Sequence, residues 1–276
     1  MKIIQETITA RKNPTVMLAS SLSEKKYRDK HRLFLAEGHK LCEEAVRAGA
    51  EVECVLLTEQ YAKEHHGDVV KMFEGDRYAD TRLLVLSEGC FEKISTEKSP
   101  EGIILLVKYL DISKRCIKIY VENSGSIGRA ILLSSIRDPG NLGTVLRSAG
   151  AFGAETVILS DDCADVYHPR AVRAAMGAVF RVPTLRVSDT EASVAALCEG
   201  GRRVFAAELR ERALPLSDIA LRASDVIVIG NEGHGISESL SDACTGSVYL
   251  PIAKTAESLN AAAAATVFLW EQSKLR

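Results

Sequence analysis

The sequence predicts an α/β protein in two parts, a small mixed unit followed by a larger domain built on a parallel sheet. Three observations point there. In the first third, short apolar runs at 52–58, 83–87 and 103–107 alternate with polar or helix-patterned stretches. After residue 128 the runs at 131–136, 156–160, 204–207, 226–230 and 248–252 become almost uninterrupted, as in strands covered on both faces. Finally, 276 residues that are 46% hydrophobic and 26% charged can bury one large core or two ordinary ones. That balance excludes wholesale disorder and fibrous repeats.

Taken in order, residues 25–49 look amphipathic, and Gly49 suits the end of a helix. A strand at 52–58 and the later runs complete a first unit over 1–110. Residues 111–128, with Asn123, Gly125 and Gly128 near their end, read as a linker or an extra hairpin. The second domain then occupies 129–276.

The formal net charge of −2 hides a contrast. Residues 11–40 carry eight Lys or Arg against three acids, a pattern that fits either a nucleic-acid footprint or a solvated charged helix. The second half carries thirteen Arg but only two Lys, Lys254 and Lys274. Arg suits bidentate contacts to phosphate or carboxylate, so this bias is compatible with RNA. Seven scattered cysteines contain no CxxC or Cys/His cluster, so reduced thiols and no metal site are expected. No secretory signal is visible in the first twelve residues, and the longest apolar stretch falls short of the ~20 residues that span a bilayer. A cytoplasmic protein without membrane attachment is expected.

Three segments carry chemistry. In the first, a strand runs into Asp138-Pro139-Gly140-Asn141, good turn chemistry, with Asn141 placed to cap a helix. Leu142, Val145, Leu146, Ala149 and Phe152 give that helix an apolar stripe that leaves Arg147 out. Arg147 either faces an anion near the helix start, roughly 9 Å along the axis, or is simply solvated. The second segment, VIVIGNEGHG, ends a buried strand in three glycines around Glu232. It suits close approach of a ligand to backbone, or a plain tight turn with His234 in it. It is neither a P-loop nor a dinucleotide fingerprint. The third, from Tyr249 to Trp270, leads through Pro251 to Ser258-Leu259-Asn260 and an Ala-rich helix, in which Ser and Asn would serve as caps if nothing else.

Together and in this order the segments resemble the SpoU/TrmH family of RNA ribose 2′-O-methyltransferases, within the SPOUT class. Asn141, Gly143, Arg147 and Ala149 match its first motif; Gly230, Glu232 and Gly235 match its second; Pro251 and Ser258-Leu259-Asn260 match its third. The segment from His168 to Pro183 is similar to the family's sequence between the first two motifs, and Lys26 to Val46 resembles a ribosomal-protein-like substrate-binding domain. In that domain Lys25, Lys26, Arg28, Lys30 and Arg32 would contact RNA phosphates.

The resemblance implies a C-terminal parallel-sheet SPOUT domain with a deep trefoil knot, a rare exception to the usual threading rule. It also implies S-adenosylmethionine as cofactor, RNA as substrate, and a homodimer. Ribosomal RNA is favoured over tRNA because the first domain is ribosomal-protein-like. Gly230, Gly235, Leu250, Ile252 and Leu259 are implied around the cofactor, and Asn141, Arg147, Glu232, Ser258 and Asn260 at the reaction centre. In the family the base role goes to the Arg. A guanidinium holds its proton to a pKa above about 12, so the expectation here is that Arg147 mainly orients the ribose hydroxyl and neighbouring phosphate. An Arg147→Lys enzyme with near-normal turnover would contradict a need for the planar fork.

One departure stands out: Lys254 occupies a position where the family usually has Gly. It points outward to RNA phosphate or obstructs the cofactor, and obstruction would leave a noncatalytic RNA-binding or ribosome-assembly factor.

Overall fold

The computed structural model describes residues 2–3, 7–110, 128–253 and 255–275. The expected linker, except Gly128, and Lys254 lie outside the described residues. The chain forms two compact units, the first comprising Met1–Leu110 together with Tyr167–Phe180, the second the rest of the described chain.

In the first unit, β1 (Lys2–Ile3), α1 (Pro14–Ser21), α2 (Lys25–His31), β2 (Leu33–Glu37), α3 (His39–Arg47), β3 (Val52–Thr58), α4 (Glu59–Met72), β4 (Arg82–Leu86), α5 (Glu88–Glu92) and β5 (Ile103–Lys108) follow one another. The sheet order is β1-β4-β3-β5-β2, with β5 antiparallel to both β3 and β2. One face buries Leu33, Leu35, Cys54, Leu56, Leu84, Ile104 and Leu106 against Val16, Leu22 and Phe91.

The amphipathic stretch 25–49 is not one helix. It is broken by β2, because Arg32 turns left-handed at φ 55° and ends α2, and the apolar Leu33–Ala36 then pairs with β5. Gly49 does follow α3 with φ 71°.

The basic window is likewise mostly self-satisfied. Arg28 is 1% exposed and donates through Nη1 to the carbonyls of Leu22 and Ser23, both at 2.8 Å. It is an internal tie for the turn before α2, not a phosphate contact. Lys25 pairs with Asp29 at 2.8 Å, Lys26 with Glu24 at 3.1 Å, and Arg32 lies over the Tyr109 ring. Arg28→Met is therefore expected to lower stability by about 1–3 kcal/mol, the cost of stranding buried acceptors, and thermal denaturation checks it. RNA affinity of the folded fraction should not change.

Tyr167–Phe180 brings α7 (Pro169–Ala175) into this unit. Tyr167 stacks on Phe34 at 4.6 Å and on Tyr109 at 4.2 Å between ring centres, and Arg173 pairs with Glu97.

The second unit holds β6 (Ala130–Leu133), α6 (Pro139–Ala151), β7 (Thr156–Ser160), β8 (Thr184–Val187), α8 (Thr190–Glu199), β9 (Val204–Ala207), β10 (Leu214–Pro215), β11 (Val226–Ile229), α9 (Glu238–Ala243), β12 (Gly246–Tyr249) and α10 (Ala261–Ser273). The seven strands run parallel in the order β10-β12-β9-β11-β6-β7-β8. The central runs Ala130–Leu133, Thr156–Ser160 and Val226–Ile229 are buried throughout, which is why their sequences lack alternation. Among the described residues no helix is long and apolar enough to cross a membrane.

Candidate active site

Open parallel sheets bind ligands beyond the carboxyl ends of their strands. There the second unit gathers the loops after β6, β9, β11 and β12.

After β6, Ser135 takes a left-handed conformation, φ 58°, and both of its backbone groups are bonded. Its N–H donates to Ser160 Oγ at 2.8 Å, and its carbonyl accepts from Asn231 Nδ2 at 2.8 Å. Ser160 donates in turn to Asp162 at 2.6 Å, and this bond is the main reason the Asp162 carboxyl lies below the usual range. The turn that launches α6 is thus pinned from β7 and from the loop after β11.

The cap of α6 differs from the sequence expectation. Asp138, not Asn141, is the N-cap, accepting the Asn141 backbone N–H at 2.9 Å. With Pro139 at the first helical position, Asp138 is the better cap. The Asn141 side chain is thereby released for tertiary contacts: its amide donates to the Glu232 carboxylate, and its Oδ1 accepts from Asn260 Nδ2 at 3.0 Å. Asn260 does cap α10, its Oδ1 accepting from Ala262 N at 2.9 Å and Ala263 N at 3.2 Å. One side chain caps a helix with its oxygen and holds the site together with its nitrogen.

The loop after β11 is closed by paired backbone bonds between Asn231 and Gly235, at 3.0 and 2.9 Å. Asn231 Oδ1 also accepts from Gly233 and His234 N–H, so the turn offers Glu232 outward. Gly235 sits at φ 69°. At Gly230 the constraint is packing: a methyl there would lie 2.5 Å from the Gly235 carbonyl carbon and 2.7 Å from Ile236 Cγ1. Gly230→Ala is expected to cost about 1–3 kcal/mol by overpacking. A melting curve checks it.

Of the five residues expected at the reaction centre, three therefore form one network, Glu232–Asn141–Asn260. Ser258 lies in the wall of a neighbouring cleft. Arg147 is exposed and makes no hydrogen bond or ion pair with a described residue.

The cleft, about 600 Å³, is lined by Leu250, Pro251, Ile252, Ser258, Leu259, Phe268, Ala207, Glu208 and Leu209 among others. Its size falls within the roughly 300–1,000 Å³ of small-molecule sites. Of the residues expected around the cofactor, Leu250, Ile252 and Leu259 line this cleft, and Gly230 and Gly235 are not in its wall. Leu209, 79% exposed, and Ile252, 39% exposed, offer apolar surface to a flat ring. Sequence reasoning missed Asn231, Glu208 and Leu209. An Asn just beyond a buried strand, between the glycines of a tight turn, was a signal for the first.

The known proteins decide the family. A model of the SpoU rRNA Methylase family matches residues 128–270, just over half of the chain. The chain belongs to the SpoU rRNA methylase family. In this SpoU methylase, residues 13–105 also match an MRM3-like substrate binding domain. A relative from Bacillus subtilis, 23S rRNA (guanosine(2553)-2'-O)-methyltransferase RlmP, is 28% identical, with 95% of this chain and 97% of the relative covered. The mitochondrial rRNA methyltransferase 3 of Xenopus tropicalis is 26% identical over 90% of this chain and 71% of its own length. Among solved structures, an RNA 2'-O ribose methyltransferase superposes with TM-score 0.81 at 29% identity, covering 98% of both chains. AdoMet-bound rRNA methyltransferase from Sinorhizobium meliloti gives TM-score 0.82 at 26% identity, covering 99% and 98%.

Proposed function

We propose that this SpoU methylase transfers the methyl group of S-adenosylmethionine to a ribose 2′-hydroxyl of RNA, with ribosomal RNA as the substrate class. The observation that carries the reading is the Glu232–Asn141–Asn260 network beside the Leu250–Leu259 cleft, three separate segments joined at the strand ends.

The cofactor supplies an activated methyl on a sulfonium, so the chain's task is to bring one hydroxyl into line and manage its proton. The cleft fits that cofactor, with apolar walls for adenine and polar groups at Glu208 and Ser258. Asn141, held from both sides, fixes the position of Glu232 and the start of α10. Ser258 stands where the third-motif loop meets the cleft and orients the reacting end. Arg147, exposed and without a hydrogen-bond or ion-pair partner among the described residues, is available for the ribose hydroxyl and adjacent phosphate, where a planar fork holds both. Positioning two bound reactants in this way supplies much of the rate.

In this reading the N-terminal domain, residues 1–110 of the sequence-based division with 111–128 as linker and 129–276 as the catalytic domain, binds the RNA; the compact unit it belongs to also takes in Tyr167–Phe180. Lys12, Lys30 and Lys40 are among its exposed cations without ion pairs to other described residues. We place the protein in the cytoplasm and assign it a homodimer. A second apolar groove, about 640 Å³, lies along Leu216, Leu221, Leu250, Ile252, Leu259 and Val267, and Trp270 is 47% exposed nearby on α10. The C-terminal segment, returning to β9 through β12, closes the trefoil knot in this reading.

The test is incubation with labelled S-adenosylmethionine and RNA from a strain lacking the gene, separated into 23S, 16S and tRNA. Label in ribosomal RNA supports the reading. Label in tRNA alone moves the substrate class, and no label in any fraction contradicts the enzyme.

A further inference from the structure

Glu208 follows β9 and takes no part in the network around Asn141. It lies in the cleft wall beside Leu209, its side chain only 13% exposed, although it carries a charge. All its partners converge on one oxygen. Oε1 accepts from Ser241 Oγ and from Ser247 Oγ, the latter at 2.9 Å, and meets Arg210 Nε at 3.1 Å. Arg210 is itself shared with Asp242 at 3.5 Å. Oε2 has no donor among the described residues. The end of β9, α9 and β12 are thus spent on fixing a carboxylate that belongs to the wall of a ligand-sized cleft and whose second oxygen has no donor among the described residues.

We propose that Glu208 positions the cofactor by accepting hydrogen bonds from its ribose diol through Oε2. The inference rests on the cofactor occupying this cleft. The apolar surfaces of Leu209, Leu250 and Ile252 in the same cleft suit the adenine, and the ribose is the next group along, which favours the diol over the cofactor's ammonium group. A carboxylate on a ribose diol is a recurrent solution to recognising nucleotides.

The experiment is calorimetric titration of the full chain and Glu208→Ala with S-adenosylhomocysteine, 5′-methylthioadenosine and the 2′,3′-dideoxy form of the latter. Methylthioadenosine keeps ribose and adenine but lacks the amino-acid end. Glu208→Ala is expected to weaken the first two by about tenfold or more, the loss of charge-assisted bonds. The dideoxy ligand should bind both proteins within about twofold of each other. Glu208→Gln, which keeps an acceptor for Ser241 and Ser247, serves if the Ala variant does not fold, and the same discrimination is expected. Equal weakening of the dideoxy ligand would overturn the proposal in favour of a structural role. Weakened homocysteine but unchanged methylthioadenosine binding would overturn it in favour of the amino-acid end. Failure of the wild-type chain to bind either ribose-containing ligand would instead remove the cofactor from this cleft.

Discussion

Arg147→Ala is expected to lower methyl transfer by about 10²–10³-fold, the range for removing one positioned donor from a reacting centre. The melting curve and the affinity for S-adenosylhomocysteine should not move. The reason for that separation is structural. Arg147 lies on the exposed side of α6, outside the stripe of Leu142, Val145, Leu146 and Ala149, and has no hydrogen-bonding partner among the described residues. Surface truncations of this kind usually stay within about 0.5 kcal/mol. A loss of turnover therefore reports on RNA in the transition state, and Arg147→Lys separates charge from geometry. If the planar fork matters, Lys should recover only a small part of the rate.

The largest stability effect is expected at Asp225. This residue, 0% exposed, immediately precedes β11, the strand that leads into Gly230, and each of its polar atoms has a task. Its carboxylate takes Arg203 Nε at 3.0 Å and Nη2 at 2.5 Å, plus the backbone N–H of Arg222 at 2.7 Å. Its carbonyl accepts Gln272 Nε2 of α10 at 2.8 Å. Removing this buried carboxylate costs about 3 kcal/mol, the low end for a broken buried pair, because Arg203 is 26% exposed and can be hydrated while the Arg222 N–H loses its acceptor. Asp225→Ala should therefore lower the melting midpoint by roughly 10 °C. Since β11 and α10 both feed the site, weaker cofactor binding should accompany it. A melting curve that moves by less than about 2 °C would show the pair to be dispensable.

Much of this was legible in the sequence where burial is uniform. The strands around Ile131, Val157 and Ile227 are read from composition because both faces are covered, and the strand-end turns after them follow from Gly, Pro and Asn. Other features depend on contacts distant in sequence. The run Leu33–Glu37 was hidden inside a helix-like stretch, since its strand character comes from pairing with β5, more than sixty residues away. Arg28 belonged to a basic window by charge but to the core by geometry. Asn141 was identified as important while its cap role belonged to Asp138, three residues earlier, and that exchange is what frees its side chain. Glu208 could not be singled out, because Ser241 and Ser247 reach it only once β12 has paired with β9. The candidate site residues were legible as a spacing; their division into a bonded network, a cleft wall and an Arg with no partner among the described residues comes from tertiary contacts.

The most direct measurement is nucleoside mass spectrometry of RNA from a deletion strain after reaction with the purified protein, wild type or Arg147→Ala. The expected result is a single new 2′-O-methylnucleoside in ribosomal RNA with wild type and almost none with the variant. Methyl groups found only on bases, or equal yields from both proteins, would contradict the account.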